Sequence, residues 1–215
     1  MTNLVSLKKL LRVSLVFLLL WFPFFYQSYA QKVEGYYVTN SGDTIPCELK
    51  RPKEAHLGLK EFVVIDSADN EVSFTPNQLK CFSYTLKNSD HLFCPKSTLD
   101  STVLFIEAIA NGKNTNVFYY DIEDLVRPKG NPVGPIIRQE QSYMQIYLFE
   151  IRGRRTYFLS VNSITRNSDL EMIKSKLKYF YGGRSEIVDL ISERFQKRSE
   201  IREDIKSLAD ATNKM

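Results

Sequence analysis

Four carboxylates in "FIEAIANGKNTNVFYYDIED" are the residues with which this chain could do acid–base chemistry: Glu107, Asp121, Glu123 and Asp124. Folded as a hairpin, the stretch brings Glu107 towards Asp121. Two carboxyl groups flanking a glycosidic bond can hydrolyse it, one as acid and the other as base or nucleophile, and their separation decides which. The plainer reading of "YYDIEDL" is a strand end carrying solvated acids. A second set is Asp90, His91 and Cys94 in "SDHLFC". These are zinc-ligand types, but a structural zinc site needs four ligands and the spacing completes no such pattern. His56, the other histidine, lies in "KEAHLGL", which reads as a surface turn. Asp66, Asp69, Asn70 and Glu71 in "DSADNE" lack the central glycine and terminal ligand of a calcium loop and read as a turn. There is no glycine-rich phosphate loop, no G-x-S-x-G and no H-E-x-x-H. No cofactor and no metal are expected.

Aromatics offer recognition rather than catalysis. In "NVFYYDI" the alternation of a strand puts Phe118 and Tyr120 on one face and Tyr119 on the other. Tyr119, Tyr147 and Tyr157 are therefore a candidate binding row for a sugar or peptide, since aromatic anchors are enriched at such surfaces. The alternative is core packing on both faces.

The elements that must position these residues begin after a leader. Lys8, Lys9 and Arg12 precede the apolar run "VSLVFLLLWFPFF", and Ser28 and Ala30 stand where a cut after Ala30 requires small residues. That is the three-part order of a secretory signal peptide. The run is shorter than the roughly 20 apolar residues of a membrane-spanning helix, and Pro23 breaks it. The alternative is an uncleaved anchor, which would be the chain's one attachment to a membrane. Three of the 29 basic residues and none of the 25 acidic ones lie in the leader, so the net charge falls from +4 to +1. This removes the concentrated basic footprint of nucleic-acid binders, and no nucleic-acid partner is expected. The remaining basic stretches, "IRGRR" at 151–155 and "RFQKRSEIR" at 194–202, read as solvated faces.

Export would carry Cys47, Cys81 and Cys94 into a compartment where disulfides persist. An odd number leaves one free or paired between chains. Cys81 and Cys94 are the candidate pair, being nearest in sequence; three isolated thiols are the alternative.

The rest of the chain is one α+β domain: a signal peptide at 1–30, an antiparallel β-rich region at 31–163, and a helical region at 164–212 packed on it. About nine short strands are expected, at 35–39, 44–50, 59–67, 71–74, 81–84, 102–112, 116–122, 144–151 and 156–161. "NSGD" between the first two supplies residues that tolerate positive φ. Thr75 and Pro76 predict a single helical turn, "KNSDH" a loop, and "RPKGNPVGP" at 127–135 irregular chain. Near Asn167 the period changes from two to 3.6. Ser168 and Glu171 form a capping-box pair, and Leu170, Ile173, Leu177 and Phe180 share a face. Gly182 and Gly183 stop that helix. A second helix opens at Ser185 and a third at Ser199, the last with Ile201, Ile205 and Leu208 on one stripe, so that two or three helices are expected. The tail "DATNKM" is expected to fray.

The stretch "GYYVTNSGDTI" resembles the start of a group of uncharacterised secreted proteins of the Bacteroidota, whose mature chains open on G-Y-(I/V)-(V/I)-T-x-x-G-D-T-(I/L). Gly35, Tyr36, Val38, Thr39, Gly42, Asp43, Thr44 and Ile45 match. "EVSFTPNQLKCFSY", "VLFIEAIANGKNTNVFYYD" and "LKYFYGGRSEIVDLI" are similar to later segments of that group, in the same order. Cys47 and Cys81 stand where the group has glycine, and Gly182-Gly183 replaces its acid-Cys-Pro junction. The group has no established activity, so the resemblance implies compartment and fold. The expectation is an exported periplasmic or envelope protein that binds an envelope protein or glycan. Two alternatives accompany it: a glycan hydrolase acting through Glu107 and Asp121, and a partner of an outer-membrane assembly docking by its C-terminal helices.

Overall fold

Strand pairing in the computed structural model runs β10-β9-β8-β7-β6-β5-β1-β2-β3-β4, one antiparallel sheet of ten strands, followed by three helices. The described residues are 31–66, 68–124, 142–162 and 167–215. Residues 1–30, expected to be a leader, the stretch 127–135 and the side chain of Ser168, expected to cap a helix, lie outside them. Val33–Met215 form one compact unit, and no helix among the described residues is long and apolar enough to cross a membrane. The strands are β1 (Lys32–Thr39), β2 (Thr44–Lys50), β3 (Phe62–Ile65), β4 (Glu71–Phe74) and β5 (Leu79–Leu86). They continue with β6 (Ser89–Ser97), β7 (Val103–Ala110), β8 (Thr115–Asp124), β9 (Ser142–Ile151) and β10 (Tyr157–Asn162).

The T-x-x-G-D portion of the opening motif is the β1–β2 turn. Gly42 takes φ +105°, its N–H donates to Thr39 O at 3.0 Å, and Thr39 N–H donates to Asp43 O at 2.9 Å. The Ser41 hydroxyl donates to Asp43 Oδ2 at 2.6 Å, and Asp43 N–H donates to Thr39 Oγ1 at 3.1 Å. Gly35 is needed for close approach: a Cβ there would lie 2.1 Å from Ser83 O on β5. The motif therefore encodes backbone geometry. "DSADNE" is also a turn. Asp66 Oδ1 accepts from Ala68 N–H and Asn70 N–H, each at 2.8 Å, and the Asn70 bonds hold its carboxyl below the usual range.

The described residues form ten strands, one more than the nine expected, because "KNSDH" is not a loop. Lys87 (φ 49°) and Asn88 (φ 64°) make a two-residue turn, the primed geometry that matches strand twist, and Ser89–Ser97 returns as β6. Pro95 is tolerated because the β5–β6 register ends at Phe82↔Phe93. The Thr75 segment forms a tight turn, with Gln78 Oε1 accepting from Thr75 N–H at 2.7 Å and Thr75 Oγ1 at 2.9 Å.

After β4 the chain crosses back, and β5 pairs with β1. The sheet then curls until distant strands meet. Phe62 on β3 stacks on Phe82 of β5 at 4.0 Å and meets Phe105 of β7 edge-on at 5.5 Å. Leu59 closes the curl by exchanging two backbone hydrogen bonds with Phe105, at 2.9 and 2.8 Å. The first half of β7 thus belongs to this barrel. Its second half pairs with β8 from Glu107↔Tyr119 onwards, and β8, β9 and β10 continue as an open wing.

Helices cover one face of that wing. α1 (Asn167–Phe180), α2 (Ser185–Arg194) and α3 (Ile201–Lys214) bury Ile173, Leu177, Ile187, Ile191, Ile205 and Leu208 against Val117, Tyr119, Tyr147, Phe149 and Leu159. Ser199 falls in a 3₁₀ turn, Arg198–Glu200, just before α3. Gly182 and Gly183 end α1 with positive φ; Gly183 N–H reaches Lys178 O at 2.9 Å and Gly182 N–H reaches Tyr179 O at 3.0 Å, a Schellman closure.

The C-terminal tail does not fray. Asn213 Oδ1 accepts from Asn114 N–H at 2.9 Å and Thr115 N–H at 2.7 Å, and its Nδ2 donates to Thr115 O at 2.8 Å. Asn114 Nδ2 donates to Thr212 O at 3.0 Å. The tail serves as a plug for the β7–β8 turn, whose backbone groups would otherwise lack partners.

Candidate functional site

Glu107 and Asp121 lie on the helix-facing side of β7 and β8, joined through other groups. Glu107 Oε1 is 2.9 Å from His91 Nδ1, and its Oε2 accepts from Arg202 Nη2 of α3 at 2.9 Å. The Arg202 guanidinium lies 4.3 Å over the Tyr119 ring. Tyr119 donates its hydroxyl to Asp121 Oδ1 at 2.5 Å, and Tyr147 donates to Gln145 Oε1 at 3.2 Å. Both oxygens of Glu107 are occupied and its side chain is 15% exposed. Burial, reinforced by Asp121, raises the Tyr119 phenol far above its ordinary range; burial does the same for Tyr147. This arrangement ties α3 to the sheet and offers no free carboxyl pair. Arg202, read from sequence as part of a solvated face, is the cation of the tie.

The tyrosine row is corrected too. Tyr119 and Tyr147 are 3% and 0% exposed, because the face they share with Val117 and Phe149 is the one the helices cover. Tyr157 is half-buried, stacked on Phe180 at 4.5 Å. Core packing, the alternative reading, describes all three.

Cys81 and Cys94 face each other across β5 and β6 and are joined in a disulfide. The zinc set dissolves accordingly: Cys94 is bonded, His91 serves Glu107, and Asp90 Oδ1 accepts from Thr85 Oγ1 at 2.7 Å. No cluster of three metal-ligating side chains occurs among the described residues. Cys47 is free, and burial pushes its thiol up to about 11, so it is protonated and a poor nucleophile at neutral pH.

A cleft of roughly 270 Å³ lies at one end of the wing, between the β7–β8 turn at 112–116 and the β9–β10 turn at 151–156. Arg152 N–H donates to Asn114 O at 2.8 Å and fastens the two turns together. Lys113, Arg152 and Arg154 line the cleft. The acid beside them, Glu150, is paired with Lys96 at 2.6 Å. Asn116 uses Oδ1 to accept from Gly112 N–H at 2.9 Å, which leaves its Nδ2 as a donor. Positive charge and N–H groups therefore converge here in excess, three cations against one carboxylate that Lys96 already engages. The sequence signal was "IRGRR", which reads as a turn with solvated charges; that Lys113 would join it depends on β8 and β9 pairing Asn116↔Glu150.

No family model matches the chain, and comparison with curated proteins and with solved structures finds no match.

Proposed function

We propose that the protein is exported to the cell envelope, belongs with the secreted Bacteroidota proteins that its N-terminal motif resembles, and works there as a binding module. The Cys81–Cys94 disulfide carries the export reading, because such bonds persist in oxidising compartments, and the three-part leader agrees with it. Binding is favoured over hydrolysis because Glu107 already serves His91 and Arg202, whereas the cleft between the two turns holds three cations and a single carboxylate, Glu150, which is paired with Lys96. The stripe that would dock α3 on an assembly, Ile201, Ile205 and Leu208, is buried in the domain's own core. The test is the intact mass of the protein recovered from envelope and periplasmic fractions of its host, with and without reductant. The expected species begins at Gln31 with one disulfide. A chain retaining residues 1–30 in the membrane fraction would replace cleavage by anchoring, and a reduced cytoplasmic chain would overturn export.

A further inference from the structure

Three cations line the cleft at the wing's end, and none of them makes an ion pair among the described residues. Lys113 stands on one turn, Arg152 and Arg154 on the other. Like charges brought together repel unless something neutralises them, and the one carboxylate in the lining, Glu150, is already held by Lys96 at 2.6 Å. Guanidinium groups present planar, forked donors suited to phosphate, sulfate and carboxylate oxygens. The volume, roughly 270 Å³, is just below the ~300–1,000 Å³ of clefts that enclose a whole small ligand. It suits one anionic group of something larger.

A second observation lies beside it. Tyr179 is 62% exposed, an unusual position for an aromatic ring at the end of a packed helix. It is nonetheless held in place: Arg155 Nη2 donates to its hydroxyl at 3.2 Å, and its ring meets Tyr157 edge-on at 6.0 Å. Arg154, which lines the cleft, reaches the glycine turn that follows Tyr179. Its guanidinium lies over Gly182, where a Cβ would sit 2.0 Å from Nη2, one turn beyond Tyr179. A fixed, exposed aromatic face next to a cationic cleft combines a platform for a sugar ring with a socket for an oxyanion.

We propose that this cleft and Tyr179 bind an acidic glycan, a saccharide bearing phosphate, sulfate or carboxylate groups. The proposal rests on the binding-module reading and supplies its ligand class. Arg152, Arg154 and Lys113 take the anion, Asn116 Nδ2 adds a neutral donor, and Tyr179 stacks on the neighbouring sugar. No covalent step is involved.

The full-length protein as recovered from its host is titrated by calorimetry with heparin, polygalacturonate, neutral dextran, inorganic phosphate and phosphatidylglycerol vesicles. Binding is expected for heparin or polygalacturonate, weakening as salt rises, with none for dextran. Arg152→Ala alone should weaken it about tenfold, the equivalent of one charge-assisted hydrogen bond. The Lys113→Ala/Arg152→Ala/Arg154→Ala triple should abolish it, Tyr179→Ala should weaken it severalfold, and Lys206→Ala on α3 should leave it unchanged. All five side chains are exposed or flank the surface, so the melting temperature should hold and serve as the folding control. If Lys206→Ala weakens binding as much per charge as the triple, the attraction is nonspecific and the proposal fails. Binding to vesicles alone, or to inorganic phosphate as tightly as to either polymer, would overturn the glycan. Dextran binding that the triple variant retains would overturn the acidic ligand and leave a binding module standing; no binding in any arm would sink both.

Discussion

The strands that close through Leu59 and Phe105 fill their interior from the sheet itself, with Phe62, Phe82, Phe93 and Phe105 among the buried rings, whereas the wing of β8, β9 and β10 shares its core with the helical region, Tyr119, Tyr147 and Phe149 from the sheet meeting Phe180, Tyr181, Phe195 and aliphatics. The difference follows from topology. A sheet that curls until its edges meet makes its own core from alternate residues of each strand. An open wing needs foreign elements on its face, and those elements must be tied down. Here the ties are polar: Glu107 to Arg202, and Asn213 to the β7–β8 turn. Glu107, which looks catalytic in the sequence, is thus a fastening between sheet and helix. Cations that fasten nothing collect at the wing's end.

Four experiments would sharpen or break this contrast. The largest effect belongs to the barrel. Phe82 touches the rings of Phe62, Phe93 and Phe105 at 4.0 to 5.1 Å, and Phe82→Ala should cost about 3–5 kcal/mol in urea unfolding. A loss under ~1 kcal/mol would mean that the barrel core is not close-packed. The double change Cys81→Ser with Cys94→Ser reopens a loop of sequence separation 13 and should cost about 2–3 kcal/mol by the chain-entropy relation, read as a lowered urea midpoint without reductant that the unmodified protein matches once reductant is added.

In the wing, Asn213→Ala leaves the N–H groups of Asn114 and Thr115 without their acceptor and should cost about 2 kcal/mol. Hydrogen exchange should speed up at those two amides first; exchange unchanged there would show that the plug is dispensable. The smallest effect is at Asp204. Burial, then Glu200, raises its carboxyl above the usual range, and one oxygen has no partner. The folded state therefore holds a proton that the unfolded chain has already released, and stability falls as pH rises through the interval between the two pKa values. Asp204→Asn should gain about 0.5 kcal/mol at neutral pH after solvent screening, with the gain vanishing in acid below the ordinary carboxylate range. A gain independent of pH would refute this reading.

Alkali offers a further contrast. Burial raises the phenols of Tyr119, Tyr147 and Tyr181, the last to about 12. The unfolded chain releases those protons first, so stability should decline as pH rises above the ordinary phenol value near 10.0, by up to about 1.4 kcal/mol per pH unit for each phenol. Ultraviolet titration of phenolate should coincide with loss of the fold.

Much of the architecture was legible locally. The Thr39–Asp43 turn, the Gly182-Gly183 stop and the Ile201/Ile205/Leu208 stripe each follow from φ preference or from period. The strand β6 was not, because Ser89, Asp90 and Pro95 have turn chemistry and their strand is held by partners on both sides. The tail was not, because "DATNKM" meets Asn114 and Thr115 from about a hundred residues away. The tyrosine row carried the right alternation, but alternation says which residues share a face and not which face is covered.

What the sequence by itself determined is therefore what neighbours along the chain decide: the Thr39–Asp43 turn, the helical periods and the Gly182-Gly183 stop, and the α+β division. Only the tertiary structure decided that β5 pairs with β1, that Leu59 closes the curl on Phe105, that Glu107 is saturated by His91 and Arg202, and that Lys113 meets Arg152 and Arg154. The physical reason is that turns and periods are set by local steric and hydrogen-bonding preferences. Long-range pairing is set by which closure buries the most apolar surface and leaves the fewest polar groups unpaired, and that depends on the whole chain at once.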